Sequence, residues 1–181
     1  ECLLVVLFIL LALRMLSGKA SPAAGGVTES ILPLVAVALP FAGALLTVIV
    51  GRTHAAWRDA LAASAALLTF GAALSLYPLT AAGTAVFRLP EVLGLGLCLQ
   101  VDFFGFLCAV LASLIWFLAT FYSQEYMEHE HGRTRYYFFL LLSLGGTVGV
   151  FLAGELLSLF LFFETMTLAS YVLVVHTQSK E

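Results

Sequence analysis

The chain has 181 residues, of which 62% are hydrophobic and only 10% charged, with a mean hydropathy of +1.06. That composition lies outside the range of water-soluble globular domains, and the apolar residues fall in long blocks, so the chain is read as an integral membrane protein. The net charge of −3 is small and spread over connecting segments, which excludes a nucleic-acid partner. Cys2, Cys98 and Cys108 show neither CxxC nor metal-ligand spacing and read as apolar fillers.

The first block, Cys2–Leu16, is apolar apart from Arg14 but falls short of the ~20 residues needed to span a bilayer. No basic segment precedes it, so a truncated transmembrane helix within residues 1–18 is preferred to a signal-peptide remnant. The chain begins at Glu1 inside this run and stops at Glu181 just after another, so a piece of a longer protein is expected. Residues 19–30, rich in Gly, Ala, Ser and Pro, read as a linker. Residues 31–181 form the main membrane domain, with spans expected at about 31–50, 60–77, 103–122, 136–153 and 155–176.

Pro33 sits where a helix start tolerates it, Pro40 is placed to kink the 31–50 span, and Pro78 is placed to end the 60–77 span. The basic stretch Gly51–Asp59 reads as a loop. Between Leu93 and Asp102 the apolar residues alternate strictly, which predicts a strand in a surface β-hairpin with Pro90 and Glu91 near its turn. Asp102 is placed to cap the 103–122 span. Gly145-x-x-x-Gly149 is a close-packing motif, and Gly154 a tight turn between the last two spans.

Ser123–Arg135 is the most polar segment. Its alternating Glu128, His129, Glu130 and His131 lack the spacing of a metal site and read as a solvated loop. Arg52, Arg58, Arg133, Arg135 and Lys180 fall on one side of the membrane and Arg14, Lys19 and Arg88 on the other. The first side is therefore expected to be cytoplasmic, with the hairpin outside.

The candidate site lies in the last span, ELLSLFLFFETMTLASYVLVVH. At ~1.5 Å per residue, Glu155–Val175 make a helix of about 31 Å, and Glu164 falls near its middle. A carboxylate at the bilayer centre costs roughly 2.5–3.5 kcal/mol on insertion scales and is a functional candidate by default. Thr167 and Tyr171 share its face at helical spacing, whereas Glu155 falls opposite, at the helix end. His176 is expected at the interface. There is no dinucleotide-binding glycine pattern, no cysteine cluster and no intramembrane histidine pair, so no cofactor and no metal site are expected in this chain.

Two stretches, VDFFGFLCAVLASLIWFLATFYSQEYM and RYYFFLLLSLGGTVGVFLAGELLSLFLFFETMTLASYVLV, resemble the third to fifth helices of the proton-translocating antiporter-like membrane subunits. That family includes complex I membrane-arm subunits, membrane-bound hydrogenase subunits and multi-subunit sodium/proton antiporters. The motif carrying the resemblance is Phe162, Phe163, Glu164, Met166, Thr167, Leu168, Ser170 and Tyr171. Gly154–Glu155 departs from the Asp/Asn usual at the preceding turn. The resemblance implies an all-α integral membrane fold of about six transmembrane helices, one of them truncated, plus the short β-hairpin. Only the N-terminal portion of the family's two inverted five-helix units would be present.

It also implies that Glu164 pairs with a Lys on a later helix that lies beyond Glu181. The function expected is a proton-translocating subunit of a redox-driven complex in the cell inner (cytoplasmic) membrane. Glu164 would be the proton carrier, supported by Thr167 and Tyr171. Its partners would be lipid, other membrane subunits, and redox subunits carrying iron–sulfur or flavin centres. A sodium/proton antiporter subunit and a structural subunit without transport are the alternatives.

Overall fold

The computed structural model describes residues 27–51, 55–88, 97–127 and 132–178. In chain order these form strand β1 (Val27–Glu29), helix α1 (Leu32–Gly51), helix α2 (Ala55–Leu74) and the short helix α3 (Tyr77–Ala82). Strands β2 (Thr84–Arg88) and β3 (Cys98–Val101) follow, then helices α4 (Phe103–Tyr126), α5 (Arg133–Leu152) and α6 (Leu156–Gln178). Among the described residues five stretches, including one that runs from α2 through α3, are long and apolar enough to cross a bilayer, and the chain is a multi-pass membrane protein. The expected N-terminal helix, the hairpin turn at Pro90–Glu91 and the His129–His131 segment lie outside the described residues.

Helices α1, α2, α4 and α5 close into a ring, and α6 packs on the outside of it against α5. Small residues set the close crossings. A Cβ at Gly145 would sit 2.9 Å from the ring of Phe41 in α1, and one at Gly146 would sit 2.9 Å from the backbone nitrogen of Met166 in α6. Gly149 meets the Phe162 ring. The expected packing motif therefore serves two neighbours along one stripe, α1 at one glycine and α6 at the other. On the far side, Gly43 of α1 abuts Ala65 of α2, where Ala62, Ala65, Ala66 and Ala73 are buried.

The sheet at one end of the bundle is larger than the expected hairpin. β2 and β3 pair antiparallel, from Ala85 opposite Val101 to Arg88 opposite Cys98. β1 joins as a third strand, parallel to β2, inside the segment read as a linker. A parallel neighbour needs a long crossover, here supplied by the α1–α2 pair between the strands. β3 is also stapled to the α5–α6 corner. Gly154 N–H donates to the Cys98 carbonyl at 2.8 Å, and Cys98 N–H donates to Ser158 Oγ at 3.0 Å. A Cβ at Gly154 would lie 2.8 Å from the Cys98 sulfur, so close approach explains this glycine.

The helix ends differ from the sequence reading in places. Asp102 caps α4 as expected, its Oδ1 accepting from Gly105 N–H at 2.9 Å. Pro78 does not end a span. The break comes earlier, after Leu74, and Pro78 opens α3, where a missing N–H costs nothing. Pro40 lies buried inside a continuous α1. Arg58 and Asp59 belong to α2, Gln124 to α4, and Arg133 to α5, so the two polar segments read as loops are partly helical.

Candidate functional site

In α6 the buried stripe is Leu159, Met166 and Ala169, turned toward α5, with Ser143 of α5 and Ser170 of α6 bridged at 3.3 Å. The opposite stripe, Phe160, Leu161, Glu164, Thr167, Leu168 and Tyr171, is exposed, Tyr171 at 66%. Its spacing is that of one helix face, so the carboxylate and its two polar companions look away from the described bundle. No hydrogen bond joins the three among the described residues. Thr167 Oγ1 instead donates back to the Phe163 carbonyl at 2.9 Å, which leaves its oxygen free to accept. Glu155 precedes α6 at the sheet end, and its carbonyl accepts from Leu159 N–H at 2.9 Å, in the first helical turn. It is apart from the Glu164 stripe, as the phase count requires.

Beside Glu155, the Cys98 thiol is pushed up from its ordinary value, first by burial and then by the Glu155 charge, with Arg88 partly offsetting both. A thiol held protonated in this way is a poor nucleophile. Among the described residues no group of three His, Cys, Asp or Glu side chains is arranged to hold a metal ion.

At the other end of the bundle lies a charged cluster that the sequence reading did not isolate. Asp59 receives Arg58 Nε at 2.8 Å on one carboxylate oxygen and Arg133 Nη2 at 2.7 Å on the other. Gln124 Nε2 donates to the Asp59 carbonyl at 2.8 Å, and Arg58 Nη1 to Thr134 Oγ1 at 3.3 Å. The Arg58 guanidinium also lies 5.8 Å from the centre of the Tyr137 ring. The cluster ties α2, α4 and α5 together, and Arg58 is only 6% exposed. The signal available in sequence was an Arg–Asp pair bordering an apolar span, which reads equally well as a solvated loop end. Nothing local announces that its partner is 74 residues away.

The comparisons with known proteins agree with this architecture. Residues 91–137 match the family model described as the N-terminus of NADH-ubiquinone oxidoreductase (complex I) chain 5. A K(+)/H(+) antiporter protein of Rhizobium meliloti, one component of a multi-subunit system, is 31% identical over 141 residues, which is 76% of this chain but 14% of the relative. A Na(+)/H(+) antiporter component from Alkalihalophilus pseudofirmus is 36% identical over 80 residues, 44% of this chain and 16% of the relative. A chain of an archaeal membrane-bound sulfane sulfur reductase, a respiratory membrane complex, superposes with a TM-score of 0.68. It is 25% identical, and the match covers 76% of this chain and 22% of that one. The chain thus spans a small fraction of the length of the proteins it matches.

Proposed function

From the chain's similarity to antiporter-like membrane subunits of complex I and of multi-subunit cation/proton antiporters, we propose that it is part of an ion-translocating subunit in which Glu164 carries the proton. The observation behind this reading is a carboxylate halfway along a bilayer-length helix, on the outward face of the outermost helix of the bundle. A bilayer-facing carboxylate is costly, so the stripe of Glu164, Thr167 and Tyr171 is a surface that protein or water covers in the whole subunit.

The physical logic needs few parts. Apolar surroundings favour the protonated carboxyl, and a cation brought near favours the carboxylate. Moving such a cation on a covering helix therefore switches Glu164 between holding and releasing a proton. Thr167, with its spare acceptor, and Tyr171 orient the carboxyl or order water along the same stripe. The driving reaction on this reading is redox chemistry in partner subunits carrying iron–sulfur or flavin centres, in the cytoplasmic membrane, with the Arg58–Arg133 end inside. The second reading, a cation/proton antiporter, is favoured by two relatives whose names are those of antiporter components.

The test is Glu164→Gln in the full-length protein, with proton uptake measured in vesicles. The expected result is a loss of more than tenfold in transport with assembly intact. Wild-type transport in that variant overturns the carrier role and leaves a structural one. Transport that follows an imposed sodium or potassium gradient, without electron donor, selects the antiporter reading.

A further inference from the structure

Helix α4 turns one face to the outside of the bundle, and the make-up of that face changes along its length. Phe103 and Phe104 are exposed at its start, just after the capping Asp102. The large exposed side chains of the middle are aliphatic: Leu107, Leu111, Ile115 and Leu118. Phe121, Tyr122 and Tyr126 close the series, with Glu125 exposed among them. At 3.6 residues per turn, these positions from Phe103 to Tyr126 occupy less than half of the helix circumference. The α4 hydroxyls point the other way. Ser113, Thr120 and Ser123 are buried, and each donates to a carbonyl of its own helix.

Helix α2 repeats the pattern beside it. The two run antiparallel: the Tyr77 ring, just past α2, packs 5.9 Å from that of Phe106 near the α4 start. At the opposite end, Gln124 of α4 reaches the Asp59 carbonyl near the α2 start. Exposed Tyr77 therefore shares a level with Phe103, and exposed Trp57 with Tyr122, while Leu67 and Leu68 are exposed between. Other outer faces differ. Among the described residues, α1 exposes Ile31, Val35, Leu45, Leu46 and Ile49 but no aromatic ring, and α6 exposes Glu164 and Thr167 at mid-length.

The spacing has a scale. Phe104 and Tyr122 are separated by about 27 Å of helix at ~1.5 Å per residue, and Asp102 and Glu125 by about 35 Å. A bilayer has an apolar core of ~30 Å within about 40–45 Å overall, so the aromatic rings fall at the core's edges and the two carboxylates among the headgroups.

We infer that the α2–α4 face is where the assembled protein meets the acyl chains of the bilayer, with no protein seated on its middle. Two features carry the inference. Charge on the α4 face is confined to the levels at which a bilayer is itself polar, and its aromatic ends stand a hydrocarbon thickness apart. A helix seated on it would need surfaces that let backbones approach, such as Gly145, Gly146 and Gly149 give α5. The exposed middle of α4 is leucine and isoleucine instead. The inference does not depend on proton carriage by Glu164 and fails separately from it.

The experiment uses the full-length protein in its complex, reconstituted in phosphatidylcholine vesicles. Leu111→p-benzoylphenylalanine is irradiated there, and its adducts are identified by mass spectrometry. Acyl-chain adducts are expected, without cross-links to protein. A second variant, Leu111→Phe with Ile115→Phe, enlarges the face without removing contacts inside the bundle. Fluid lipid yields to the added rings, so assembly is retained and Tm stays within about 2 °C of wild type. Protein adducts at Leu111, from a partner or from another segment of the same chain, overturn the inference. So does a fall in Tm of several degrees or loss of a subunit in the double variant, the mark of an overpacked protein contact. Where no adduct forms, the double variant decides.

Discussion

Helices α5 and α6 are adjacent, similar in length and paired with each other, yet they solve opposite problems. The most apolar stretch of α5 is 67% buried although its mean hydropathy is only 1.4, while that of α6 is 22% buried at 1.8. In water the ranking would run the other way. In a membrane, lipid is as apolar as leucine, so burial follows from surfaces that let backbones approach. α5 has such a surface in Ser143, Gly145, Gly146, Thr147 and Gly149. α6 offers α5 a matching stripe and keeps its costly residue on the other side. A helix that packs well on one face and carries a carboxylate on the opposite one is built to be covered by something else.

The comparison is sharpened by perturbing what holds the ring and what holds the edge helix. The largest effect is expected at the charged end of the ring. Asp59→Ala leaves Arg58 and Arg133 without their shared carboxylate, and removing one partner of a buried ion pair costs about 3–5 kcal/mol. Thermal unfolding of the full-length protein in detergent checks this, and an unchanged midpoint would mean the cluster is solvated. Next comes Gly146→Ala. Its methyl group meets the Met166 backbone, which has no side-chain freedom with which to yield, and overpacking of this kind costs about 1–3 kcal/mol. Protease sensitivity rising specifically in α6 would locate the damage at the α5–α6 contact. The smallest effect is expected at Asp102→Ala, which removes the α4 cap and costs ~1 kcal/mol, whereas Asp102→Ser should recover most of it.

Much of this architecture was legible because membrane spans are written as local apolar blocks. The five described spans, the Asp102 cap, the alternating strand ending at Val101 and the Gly145–Gly149 contact all depend on residues close in sequence. What escaped depends on distant ones. β1 is three residues, Val-Thr-Glu, in a Gly- and Ala-rich segment, and only pairing with β2 more than fifty residues later makes it a strand. The cluster of Arg58, Asp59, Gln124 and Arg133 escaped for the same reason, since charge at the end of an apolar run looks solvated until the bundle closes over it. α3 was missed because Pro78 reads as a stop, although the same missing N–H suits a first turn. For the candidate site, sequence phase alone separates Glu164 from Glu155 and aligns it with Thr167 and Tyr171. That this stripe lies opposite the α5 contact required the packed structure.

On the proposed reading α6 turns a proton-carrying carboxylate, Glu164, outward, and Glu155, nine residues earlier, has no such role. The direct measurement is proton translocation by the full-length protein in vesicles, comparing Glu164→Gln with Glu155→Gln at matched assembly. The account predicts a loss of more than tenfold for Glu164→Gln and a rate near wild type for Glu155→Gln. Wild-type transport in Glu164→Gln would contradict it.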